Sequence, residues 1–271
     1  MNKLYKNYAK NIFSQNGEDG ILVELLNDLN IDNGYLVDIG AWNGIYLSNI
    51  YNIWRKNFNY TALLVEPDVL RFKLLKRIKK KNENIIVSNN KVQINSNSNN
   101  INEIIKKNIP SISHDNFALI VIDVDSCDYQ IFQELELSPK IVVIEHTMNE
   151  DVYFEKIDES HGSSFFSIYK LAISKGYELI CDTHNSIYVR KDLYQNLVDI
   201  NQNISNLACS PKELKQLQKL NTEGKVENSL YFKSTIYKKN IESELFKNFT
   251  LVDKLKRLVG KFVLKKEYSY V

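Results

Sequence analysis

The sequence predicts an α/β fold, a mostly parallel sheet covered by helices. Short apolar runs alternate with longer helix-periodic stretches, and those runs are of strand length with turn residues at their ends. Of 271 residues, 44% are hydrophobic and 25% charged, enough to bury a sizeable core and to exclude wholesale disorder. Thirty-five Lys+Arg against 33 Asp+Glu leave a net charge of +2, too balanced for a dedicated nucleic-acid binder. Cys127, Cys181 and Cys209 are scattered and form no CxxC pair or Cys/His cluster, so neither a disulfide framework nor a structural zinc site is expected. The opening stretch lacks the continuous apolar segment of a secretory signal, and no apolar run is long enough to span a membrane. The expected compartment is the cytoplasm.

The elements follow in order. Residues 17–30 carry Ile21, Leu22, Leu25, Leu26 and Leu29 at helical spacing, and residues 35–39 (YLVDI) read as a buried strand ending at Gly40. A helix is expected over 44–58, a strand over 61–66, then a basic amphipathic helix over 68–81 capped by Asp68 behind Pro67. Residues 85–88 read as a third strand. The Asn/Ser-rich stretch 89–102 is a loop, with a short helix at 101–108 ended by Pro110. The two clearest strands, 117–124 and 140–145, flank a helix at 129–137. A helix over 163–175 ends at Gly176, and strands at 177–181 and 186–189 form a hairpin. Beyond 193 the sequence is helical and polar, a C-terminal extension to a domain spanning 1–193. Residues 245–266 alternate apolar and basic positions, which fits a solvated helix or one packing in a homodimer, and also weak docking on an anionic membrane surface.

Three clusters carry chemistry. The first is Asp38-Ile-Gly40-Ala41-Trp-Asn43-Gly44, straight after a strand. Glycines there let backbone pass close to a ligand, but Gly40 and Gly44 do not give the G-x-G-x-x-G of a dinucleotide site. An acid just before the first glycine suits a ligand with an amino or sulfonium group, as in the loop of an S-adenosylmethionine (SAM) methyltransferase. The second is Glu66, where a strand-end carboxylate can accept both hydroxyls of an adenosine ribose. The third is Asp123-Val-Asp125-Ser-Cys-Asp128. Three carboxylates in six positions repel one another unless something cationic sits among them, either SAM or an oxygen-ligated Mg²⁺ or Mn²⁺. Asp128 reads equally as the N-terminal cap of the next helix. Glu145-His146 ends the neighbouring strand, where His146 could take a proton, complete a metal site or be merely structural.

With these residues in place, the chain resembles the FkbM-like class of SAM-dependent methyltransferases, in the branch opening with Ser-Gln-x-Gly-Glu-Asp. The matching segments are Ser14-Gln-Asn-Gly17-Glu-Asp19, Val37-Asp-Ile-Gly-Ala-Trp-Asn-Gly44 with Ser48-Asn49, and Leu64-Val-Glu66-Pro67-Asp68. Later ones are Ile122-Asp-Val-Asp125-Ser-Cys-Asp128-Tyr129, Val142-Val-Ile-Glu145-His146, Gly162-Ser-Ser164 and Asn185-Ser-Ile-Tyr-Val-Arg190. They cover roughly 12–193. The pattern departs at Ser126-Cys127, where a small residue or glycine is usual, and at His146, where Asn is frequent.

The resemblance implies a Rossmann-like class I SAM methyltransferase sheet of seven strands, the last antiparallel. It implies SAM contacts from Asp38, Gly40, Ala41, Asn43, Gly44, Asn49, Glu66, Pro67 and Asp123, with Gln15, Glu18 or Asp19 closing over the cofactor. It further implies a small sugar-like or polyketide hydroxyl as acceptor, in polysaccharide or capsule pathways among others. The expected reaction is in-line methyl transfer to that hydroxyl, with His146 as base beside Asp125 and Glu145. Alternatively, a metal on Asp125, Asp128, Glu145 and His146 acidifies the acceptor. The acceptor pocket is expected in the 146–162 loop, with Tyr153, Phe154 and His161. Two rivals remain open: a glycosyltransferase using Asp123-Val-Asp125 as a metal-binding DxD, and a catalytically silent assembly partner.

Overall fold

A computed structural model describes residues 3–197 and 203–222. The expected stretch 245–266 lies outside the described residues. After a 3₁₀ turn at Tyr5–Tyr8 come α1 (Glu18–Asp28), β1 (Gly34–Ile39), α2 (Tyr51–Trp54), β2 (Tyr60–Val65), α3 (Val69–Lys79) and β3 (Ile85–Ser88). They are followed by α4 (Ile101–Asn108), β4 (Phe117–Ile122), α5 (Asp128–Glu134), β5 (Ile141–Glu145), α6 (Phe165–Ser174), β6 (Tyr177–Asp182) and β7 (Asn185–Arg190). The short α7 (Lys191–Tyr194), α8 (Ile204–Leu207) and α9 (Pro211–Thr222) follow the sheet.

The seven strands lie in the order β3-β2-β1-β4-β5-β7-β6. Strands β1 to β5 pair in parallel, and β7 runs antiparallel to both β5 and β6. The sheet is Rossmann-like, mostly parallel with an antiparallel last strand. The reason lies in the residues: central β4 (FALIVI) is buried along its whole length, as a strand covered on both faces must be. Side chains alternate between two cores. Leu36 packs with α1, α2 and Leu75 of α3 on one face, while Val37 and Ile39 pack with α4, α5 and α6 on the other.

One expected element is corrected. Residues 44–58 are not one helix; only Tyr51–Trp54 is α-helical. Trp42, Gly44 and Leu47 have positive φ, which no helix continues through. Asn43 Oδ1 accepts from the amides of Ile45 (3.0 Å) and Tyr46 (2.8 Å), and Ser48 Oγ accepts from Tyr51 (3.1 Å). These local turns outcompete the helix until residue 51.

Candidate active site

Parallel register brings the chemistry to one edge. Val65 stands opposite Ile39 and Ile122 opposite both Ile39 and Ile144, so Glu66 and Asp123, just past β2 and β4, gather beside Asp38 and Glu145 at the carboxyl ends. That edge is where open α/β sheets bind ligands. A cleft of about 540 Å³ opens there, within the size range of small-molecule sites. Gln15, Asp38, Gly40, Ala41, Asn49, Glu66, Pro67, Asp123, Asp125 and Glu145 all line it.

Gly40 is set by geometry. Its φ is +93°, and a Cβ there would stand 1.8 Å from the Asp123 carbonyl oxygen, so only glycine lets β1 turn beneath β4. Gly44 has a different role from the one expected. It faces Leu75 and Leu64 rather than the cleft, and a Cβ would meet their methyls at 2.9 and 3.0 Å. Asn43 likewise spends its side chain on its own turn.

The N-terminal segment divides. Gln15 reaches the cleft. Glu18 and Asp19 are both buried and do not line it. Asp19 accepts from the amides of Ile12 (3.2 Å) and Phe13 (2.8 Å) and from Ser14 Oγ (2.9 Å). Glu18 accepts from the Asn16 amide (2.7 Å) and from Asn185 Nδ2 (3.1 Å). Both hold the segment that carries Gln15 in place.

The cleft is rich in acid. Burial first, then the Glu66 charge, pushes Asp38 up to about 7. Burial also raises Glu66 to about 7, against the Asp68 amide (2.8 Å) and the Arg71 charge. Asp123 lies well above the ordinary carboxylate range, through burial and then the charges of Glu145, Asp128, Asp125 and Asp38. Burial, followed by Asp128 and Asp125, lifts Glu145 to about 7. Ionising these groups together is unfavourable without a cation.

Two other expected roles change. Asp128 is no helix cap: it opens α5, with Cys127 in the cap position. Its carboxylate instead accepts from the amides of Val124 (2.8 Å) and Ser126 (3.1 Å), fixing the turn that carries Asp125. His146 is not presented as a free base or ligand. Its side chain is 1% exposed, Nε2 lies 2.8 Å from Asp182 Oδ1, and Nδ1 lies 3.2 Å from the Thr147 carbonyl. Burial works against a charged His146, but Asp182 outweighs it and holds the imidazole above its usual pKa. Asp182 is held below the carboxylate range for the reciprocal reason.

A second cavity of about 300 Å³ shares Asp125 and Glu145 with the cleft and adds Asp128, His146, Thr147, Met148, His161, Gly162 and His184. Of the expected acceptor-loop residues, His161 lines this cavity, whereas Tyr153 and Phe154 are exposed elsewhere on that loop. His184 turns the β6–β7 hairpin at φ +93°, and burial, then the His146 charge, lowers its pKa.

Sequence reasoning missed Trp42, Tyr46, Arg71 and Asn185 as cleft residues. Trp42 packs at a tilt against Tyr46 (centroids 4.8 Å apart) and lies under the Arg71 guanidinium (5.2 Å). Its place between two loop glycines was the signal. Arg71, one turn into α3 behind Asp68, had none.

No protein-family model and no curated protein matches the chain. Among solved structures, it overlaps the N-terminal domain of EvdMO1 with SAH bound (5% identity, TM-score 0.40), covering 64% of this chain and 78% of that one. A SAM-dependent methyltransferase from Methanosarcina mazei overlaps at 11% identity and TM-score 0.36, covering 61% and 96%. WbdD overlaps at 16% identity and TM-score 0.38, covering 63% of this chain and 34% of that one, so the match spans about a third of WbdD. At TM-scores this low the overlaps decide nothing about the chemistry of this chain.

Proposed function

We propose that the chain is a SAM-dependent O-methyltransferase acting on a hydroxyl of a small, sugar-like acceptor. The observation that carries this reading is the pairing of Asp38 and Glu66. Two buried carboxylates end neighbouring strands in one cleft, on either side of a turn that only Gly40 can make. Glu66 would accept the ribose hydroxyls, and Asp38 and Asp123 the cationic methionine end. Trp42, on the cleft wall, would lie beside the adenine. The motif resemblance to the FkbM-like class supports the same reading and points to polysaccharide-type acceptors.

Bound SAM supplies a methyl on a positive sulfur, already a good leaving group, so the protein chiefly aligns acceptor and donor. Methyl transfer would release S-adenosylhomocysteine and leave the acceptor's hydroxyl proton for a protein group to take up. The smaller cavity, contiguous through Asp125 and Glu145, would hold the acceptor. With His146 tied to Asp182, His184 on that cavity's wall takes over the role of proton acceptor expected of His146.

Calorimetric titration of S-adenosylhomocysteine (SAH) into the chain and into an Asp38→Asn, Glu66→Gln double variant tests the reading. Binding that the folded double variant loses is the expected result. A folded wild type that binds no SAH, but binds a sugar nucleotide with Mn²⁺, would replace this reading with the glycosyltransferase one. SAH binding without methyl transfer to any hydroxylated acceptor would favour a silent assembly partner.

A further inference from the structure

Asp38 and Glu66 lie at the cofactor end of the cleft, and a second acidic group lies beyond them. Asp123, Asp125 and Glu145 each offer an oxygen, all within 4.8 Å of one another. Acidic side chains gather at sheet edges for many reasons, so the cluster alone assigns nothing.

Asn185 adds an independent observation. It is 6% exposed and stands opposite Glu145 in the β5–β7 register, where directly paired side chains share a face. It lines the same cleft. Its Nδ2 donates to Glu18 (3.1 Å), but its Oδ1 is buried without a partner. A buried carbonyl oxygen left unsatisfied costs free energy that a positive ligand would recover.

We propose that Asp123, Asp125, Glu145 and the Asn185 side-chain carbonyl form a binding site for one hard divalent cation, Mg²⁺ or Mn²⁺. Every donor is oxygen, the set those ions prefer over sulfur- and imidazole-seeking metals. This donor set differs from the one the sequence suggested. Asp128 drops out because it holds the 124–126 turn, and His146 because Asp182 holds it. Asp123 and Asn185 take their places. The cation would lie between the cleft and the smaller cavity, where Asp125 and Glu145 border both. There it lowers the pKa of a coordinated acceptor hydroxyl, a role that rests on the methyltransferase reading, although the site does not.

The test titrates Mn²⁺ alone into the full chain, following free Mn²⁺ by electron paramagnetic resonance, with and without SAH. Asp125→Asn is the principal variant: Asp125 is exposed at φ +63°, a backbone that Asn tolerates as well as Asp. Glu145→Gln and Asn185→Ala follow, with circular dichroism to verify folding. Expected is saturable binding of one Mn²⁺, displaced by Mg²⁺, weakened at least about tenfold by Asp125→Asn and by Glu145→Gln, and less by Asn185→Ala. No saturable binding in either condition, or binding unchanged by Asp125→Asn, overturns the site. SAH binding is measured in parallel. If Mn²⁺ binds through Asp125 and SAH does not bind, the cation site stands and the methyltransferase reading fails. SAH binding with no Mn²⁺ site gives the reverse.

Discussion

Asp182 and Asp38 are almost equally buried, at 1% and 4% exposure, yet they are opposite kinds of acid. Asp182, at the end of β6, has His146 at 2.8 Å and the Cys209 amide at 2.8 Å, and it stays ionised. Asp38, at the end of β1, has Glu66 for its charged neighbour, and its pKa rises to about 7. One end of the sheet edge is electrostatically complete, whereas at the other the charge bearing on Asp38 is a second carboxylate. A buried charge with its partner built in is structure; one without a partner is an invitation to a ligand.

The largest expected effect would break the cleft end at its turn. Gly40→Ala sets a Cβ against the Asp123 carbonyl at 1.8 Å, and should cost more than about 4 kcal/mol or prevent folding. Urea denaturation, or loss of soluble protein, would show it. Next comes the complete end. Asp182→Ala strands a buried imidazole and should cost about 3–5 kcal/mol, while SAH affinity of the folded fraction stays near wild type. Equal losses of stability and SAH binding would erase the contrast between the two ends.

A subtler test uses pH. Folding moves Asp38 from 3.8, and Glu66 from 4.5, up to about 7. Between those limits the unfolded chain holds fewer protons, so the stability contributed by these groups is complete below about 4 and falls as pH rises through 7. The ligand-free protein should therefore melt several degrees lower at pH 8 than at pH 5, and the Asp38→Asn, Glu66→Gln variant should flatten that slope. SAH binding should move the other way, strengthening as the carboxylates ionise. The smallest effect is local. Asp68 Oδ1 caps α3 through the amides of Leu70 (2.8 Å) and Arg71 (2.9 Å), and Asp68→Ala should cost about 1 kcal/mol with the complete end untouched.

The acid-rich cleft end was legible in the sequence because its parts are local. Asp38 and Gly40 belong to one strand and its turn, Glu66 closes the next strand, and parallel pairing places them together. The helix expected over 44–58 failed where side chains competed with the backbone: Asn43 and Ser48 offered hydrogen bonds that periodicity does not count. The cap reading of Asp128 failed similarly, since an acid opening a helix looks the same in sequence whether it caps that helix or ties down the turn before it.

By itself the sequence determined the alternation of strands and helices, the fully apolar run that became β4, the Asp38–Gly40 turn and the acids at the strand ends. These follow from burial and backbone sterics, which act over a few residues. Only the tertiary structure decided that His146 belongs to Asp182 across 36 positions, that Asn185 faces Glu145, and that Asp19 braces the segment carrying Gln15. Those pairings come from the antiparallel return of β7 and the fold of the N-terminal segment. Hydrogen bonds and charges choose partners by distance in space, and no spacing along the chain records that distance.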